Sequence, residues 1–109
     1  MTRYLLNSAV IAAGAYGEYR YSPATREELT EFLACGPYES RVGYAETAAK
    51  IEEWTGILPP INRGRSVMAP GDVAMVVRLR YRIGDPETKG RPVAMWGEGW
   101  EIARLERIS

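Results

Sequence analysis

Arginine dominates the side chains of this chain that could do chemistry, and histidine is missing. Of 14 positively charged residues only Lys50 and Lys89 are lysine, so twelve are arginine, and no histidine occurs. The planar arginine fork meets phosphate oxygens in pairs, although a genome biased toward arginine codons would give the same composition. Arg78, Arg80 and Arg82 alternate along one apolar stretch, which at a rise of about 3.3 Å per residue sets them about 7 Å apart on one face of a strand. That spacing spans adjacent phosphates. Carboxylates of a neighbouring strand, such as Glu101 and Glu106, would serve equally well as partners.

A second cluster surrounds Gly43-Tyr44, immediately ahead of a helical pattern. A glycine there lets an anion approach the exposed amides of a helix start under a favourable dipole. Tyr44 can stack on a base or donate its hydroxyl to a phosphate, or it can fill the rim of the core. Asn62-Arg63 follows the double proline Pro59-Pro60 in a stiffened loop, where the arginine is either a surface residue or a phosphate clamp. The lone Cys35 excludes an internal disulfide and contributes to no metal cluster. With no histidine to activate it, and at the end of an apolar helical pattern, it is expected as a buried structural thiol.

The elements that would position these residues are legible from periodicity. Arg3 to Ile11 suits a buried strand, and Tyr16 to Tyr21 a short strand with the first as its expected partner. Thr25-Arg26-Glu27-Glu28 matches a capping box, and Leu29, Phe32 and Leu33 recur at helical spacing, predicting a helix over Thr25–Cys35. A second helix is predicted from about Ala45 to Thr55, with Ala48, Ile51 and Trp54 on one face and Gly56 as its C-cap. Ile61 to Met68 is a strand candidate closed by a type II turn at Ala69-Pro70-Gly71-Asp72, so that it forms a hairpin with the next strand. Val73 to Ile83 is that strand: Val73, Met75, Val77 and Leu79 share a packed face, and the arginines share the other. Gly84 to Gly99 reads as a mobile excursion, and Trp100 to Ile108 as a closing strand. Strands separated by two helices predict a single α/β (mixed α+β) domain over residues 1–109.

Composition excludes several classes. A net charge of zero over 109 residues argues against bulk binding to long nucleic acid or to an acidic membrane. No apolar run approaches the roughly 20 residues needed to cross a bilayer, and no signal pattern opens the chain, so a cytoplasmic protein is expected.

In order along the chain, Tyr4-Leu5-Leu6-Asn7-Ser8-Ala9, Ser40-x-x-Gly43 with a following helix that carries Thr47 and stops at Gly56, Asn62-Arg63, Gly71-Asp72, the strand ending in Arg82, and Glu101-Ile102 resemble the viral ring nuclease family. This is the domain of unknown function 1874, which includes the type III anti-CRISPR ring nucleases. The resemblance covers most of the chain. It implies a homodimer whose subunits enclose a cyclic oligoadenylate, typically cyclic tetra-adenylate, in a shared basic pocket. It implies no metal and no cofactor: a ribose 2′-hydroxyl attacks the adjacent phosphate, and a histidine after the motif glycine protonates the departing 5′-oxygen. Here that position is Tyr44. The family's arginine maps to Arg82, its helper acid to Asp85, and its ligand-enclosing positions to Asn7, Ser8 and Arg63, beside Gly43, Thr47, Arg78 and Arg80 as further ligand-binding candidates.

General acid catalysis contributes roughly 100- to 10,000-fold and works best when the acid's pKa lies near the operating pH. A tyrosine, at about 10 in its reference state, is a poor donor at neutral pH. Glu46 is the nearby substitute acid, but a helix N-terminus favours its ionised form. The expected function is therefore a protein that sequesters or slowly cleaves the messenger and dampens a nucleotide-triggered defence. An active nuclease using Tyr44 or Glu46 with Arg82, and a ligand-free interaction module presenting Trp96 and Trp100, are the alternatives.

Overall fold

Each described helix is bounded by residues that its sequence sets aside for that purpose. In the computed structural model, which describes residues 1–9, 11–64, 66–79 and 99–109, helix α1 spans Arg26–Ala34 with Thr25 as its N-cap. Thr25 Oγ1 accepts from Glu28 N at 3.1 Å while Glu28 Oε1 accepts from Thr25 N at 3.2 Å, so two otherwise orphaned amides are satisfied reciprocally. Helix α2 spans Ala45–Thr55 and ends at Gly56 with φ 78°, a left-handed conformation that glycine adopts without steric penalty.

The sheet comprises β1 (Arg3–Leu6), β2 (Tyr19–Pro23), β3 (Glu39–Arg41), β4 (Val73–Leu79) and β5 (Trp100–Arg107), in the order β2-β5-β4-β1-β3. β1 is parallel to both β3 and β4, with Leu6 opposite Arg41 on one side and Val76 on the other. β5 is antiparallel to β4 and to β2. The mixed sheet with two helices is the expected α/β architecture.

One face of the sheet is covered by the helices. Leu29, Phe32 and Leu33 of α1 and Ala48 and Ile51 of α2 pack on Leu5, Met75 and Val77. The opposite face buries Leu6, Ala74, Val76, Ala103 and Leu105 beneath Met68 and Ala9, which belong to the two long loops. Val73 to Val77 are thus buried on both faces, the usual state of a strand with parallel pairing. Arginine appears only where β4 runs past this cover, at Arg78.

Three expectations change. β2 pairs with β5 at the far edge and not with β1, a non-local choice that periodicity cannot express. Residues 61–68 form no strand among the described residues, only a single parallel bridge from Ile61 to Val42, so no hairpin precedes β4. The turn before β4 does form, with Asp72 N bonded to Ala69 O at 3.0 Å and Gly71 at φ 91°. Cys35 is exposed, because it stands off the stripe that Leu29, Phe32 and Leu33 define at 100° per residue. The excursion from Gly84 to Gly99 falls almost wholly outside the described residues.

Candidate functional site

Parallel strands deliver their C-terminal ends to one edge of a sheet, and ligands of α/β proteins bind in the crevice beyond those ends. Here the chain leaving β1 supplies Asn7 and Ser8, and the chain leaving β3 supplies Gly43 and Tyr44. Together with Arg41 and with Arg63, Gly64 and Ser66 of the loop after α2, they line a cavity of about 620 Å³. Ile11, Ala12 and Ala13 of the loop after β1 form its apolar wall. The volume falls within the range of about 300–1,000 Å³ typical of small-molecule sites.

The loop that carries Arg63 is fixed by short-range chemistry. The buried Ser40 donates to Pro60 O at 2.5 Å, and Asn62 N donates to Val42 O at 2.8 Å. Asn62 Oδ1 accepts from Gly64 N at 2.8 Å, a side-chain turn that asparagine favours. The serine and the asparagine of the two short motifs therefore hold the loop and leave the arginine to face the cavity. Arg63 Nε donates to Gly43 O at 2.9 Å, and its guanidinium carbon lies 5.4 Å from the centroid of the Tyr44 ring. A side chain at position 43 would meet Arg63 Cγ at 3.0 Å, so the glycine makes room for the arginine as well as for a ligand.

Tyr44 is the N-cap of α2, with extended backbone and no capping hydrogen bond from its side chain. Its ring is 45% exposed. The first amides of α2 are thereby left without a side-chain acceptor from the cap, at the positive end of the helix dipole. Two guanidinium groups, an open helix start, an exposed aromatic face and the amide of Asn7 meet at one cavity. That set suits a ligand with phosphates and a stacking base.

Five residues singled out in the sequence are brought together here: Asn7, Ser8, Gly43, Tyr44 and Arg63. Others stand apart. Thr47 is buried in the first turn of α2 and does not line the cavity, and neither does Glu46. Arg78 is held by Glu101 of the adjacent strand at 2.6 Å and covers the Tyr21 ring at 5.9 Å. The hydrogen bond to Glu101 raises the Arg78 pKa further above its ordinary value, and burial raises that of the Tyr21 phenol. This is the cross-strand alternative stated above. Arg80, Arg82, Asp85 and Trp96 lie outside the described residues.

Trp100 is 8% exposed and packs edge-on against Trp54 at 6.2 Å, which corrects its expected role as an exposed contact residue. Arg41, Gly64, Ser66 and the Ile11–Ala13 wall were not foreseen. Arg41 lies two positions ahead of Gly43, but only the register of β3 against β1 reveals which face it takes. Among the described residues no group of acids, cysteines or histidines could hold a metal ion, and no helix is long and apolar enough to cross a membrane.

A family model described as STIV B116-like matches residues 3–91, from β1 through both helices to β4 and beyond, and so contains every wall of the cavity. The chain belongs to the STIV B116-like family. Among solved structures it is similar to B116 of Sulfolobus turreted icosahedral virus (STIV), with a TM-score of 0.73 at 14% identity, over 98% of this chain and 100% of that one. At that identity the likeness speaks for a shared fold. No curated protein sequence matches. The STIV B116-like description names a viral protein and no activity.

Proposed function

We propose that the chain binds a cyclic oligoadenylate messenger, such as cyclic tetra-adenylate, in the cavity at the C-terminal ends of β1 and β3, and sequesters or slowly cleaves it. Two copies of the chain would enclose the ring, since a two-fold dimer matches a ring with its own symmetry. The observation that carries this reading is the convergence of Asn7, Ser8, Gly43, Tyr44 and Arg63, remote in sequence, on one cavity. The motif order shared with viral ring nucleases and membership of a family described after a viral protein support it. Its biological consequence would be to dampen a type III CRISPR-like defence.

Sequestration ranks ahead of rapid cleavage because the position expected to supply a general acid is a tyrosine, and the substitute acid Glu46 does not line the cavity. The deciding experiment incubates labelled cyclic tetra-adenylate with stoichiometric protein and reads the same sample by native gel shift and, after denaturation, by product separation. A shifted band returning intact ring establishes a sponge. Linear products ending in a cyclic phosphate establish a nuclease that works without histidine, and Tyr44→Phe should then abolish turnover while binding persists. No shift and no product refutes the reading for this ring.

A further inference from the structure

Arg41 closes β3 directly opposite Leu6, and partners in a parallel register project to the same face of the sheet. Its guanidinium therefore stands on the loop side, where it lines the cavity with Arg63. It packs beside Gly64: a side chain there would come within 3.5 Å of Arg41 Nε. Among the described residues Nη1 of the fork donates to Ser40 O at 3.0 Å and Nη2 to Glu39 Oε2 at 3.2 Å. Arg63 is oriented in the same manner, through a backbone carbonyl. Each cation is thus pre-positioned by its own neighbourhood, which lowers the ordering cost of binding.

The Glu39 carboxylate differs from the carbonyls in being displaceable. Its side chain is 52% exposed in this ion pair, and exposed pairs are weak. A phosphate offers the same fork two or more oxygens and a full negative charge. We infer that Arg41 is a second phosphate-contacting residue of the cavity and that Glu39 is an internal counter-ion to it, exchanged for ligand phosphate on binding. The inference rests on the oligoadenylate reading of the cavity and extends it. With one cation on β3 and another on the loop after α2, the site selects ligands that carry at least two phosphate groups, and the Glu39 pair sets a threshold that a single phosphate does not overcome.

The test is a titration of the full chain and of Arg41→Gln, Arg41→Lys and Glu39→Gln with cyclic tetra-adenylate, adenosine monophosphate and inorganic tripolyphosphate, each at several salt concentrations. Arg41→Gln is expected to weaken ring binding about tenfold or more and to flatten the dependence of log affinity on log salt by roughly 0.7, one phosphate contact of a single strand. Arg41→Lys should restore the salt dependence in part. Glu39→Gln should tighten ring binding about threefold and let adenosine monophosphate bind measurably, since removal of a like charge beside the phosphate favours it. Wild-type affinity and salt slope in Arg41→Gln would overturn the inference, as would unchanged affinity in Glu39→Gln, which reads the same contact should Arg41→Gln fail to fold. A wild type that ignores the ring but takes tripolyphosphate through Arg41 would sink the ring reading and keep Arg41. Binding of neither would sink both.

Discussion

The two described helices start in opposite ways. α1 begins with its amides closed by a reciprocal pair, Thr25 with Glu28. α2 begins at Tyr44, whose side chain caps nothing and whose ring leans under Arg63. The same contrast divides the arginines. Arg78 and Arg104 are matched by carboxylates at 2.6 and 2.8 Å, whereas among the described residues Arg63 meets no carboxylate. Along β4 and β5 the cations are matched by strand carboxylates, whereas beside the cavity the start of α2 has no side-chain cap and Arg41 shares an exposed pair with Glu39. An N-cap side chain is worth about 1 kcal/mol, which the start of α2 forgoes beside the two cavity arginines.

Four substitutions would break or sharpen this contrast. The largest effect is expected from Arg63→Ala, which should lower ring affinity about 10- to 100-fold, the range for a charge-assisted hydrogen bond, with little change in melting temperature. Calorimetric titration beside a thermal melt checks it, and an equal loss of stability would mean that Arg63 is a structural residue. Next comes Thr25→Ala at the closed helix start. It should cost about 1 kcal/mol in denaturant unfolding and leave ring binding untouched.

Tyr44→Ser runs the other way. A serine at the N-cap should contribute about 1 kcal/mol, offset by about 0.5 kcal/mol from the lost stack under Arg63, for a net gain near 0.5 kcal/mol and weaker ring binding. A variant both less stable and fully competent to bind would contradict the idea that the open start serves a ligand. The smallest effect belongs to Arg78→Ala: an exposed cross-strand pair contributes under about 1 kcal/mol, and ring affinity should shift by less than about twofold. A larger shift, seen in the same titration, would return the arginine stripe of β4 to the site.

What was legible in the sequence follows the range of the interactions involved. The capping box, the left-handed Gly56 and the stripes of both helices are set by neighbours three or four residues apart, and they stand where the periodicity puts them. The alternation of β4 also holds, but its two faces were misread as packed and basic, because the cover over Ala74 and Val76 comes from loops whose path no local pattern encodes. The partner of β2 was missed for the same reason. At the site, Gly43, Tyr44 and Arg63 could be named from turn chemistry and helix-start logic alone. Arg41 could not: its face depends on a register between β1 and β3, whose paired residues lie 35 positions apart.

The pairing of Arg3 with Val73 and of Leu6 with Val76 also has a temporal side. β1 leaves the ribosome first, yet its neighbour toward the middle of the sheet follows some 70 positions later, which at about 5–20 residues per second is roughly 4 to 14 s of synthesis. For the first half of that interval Tyr4, Leu5 and Leu6 have no partner strand, and for the second half they have the three residues of β3, made 35 positions later. Topologies built from such distant pairings fold slowly, so the nascent chain carries an apolar strand with at least one free edge until β4 arrives. The vulnerable moment in the life of this protein is its birth, before the sheet that holds the site exists.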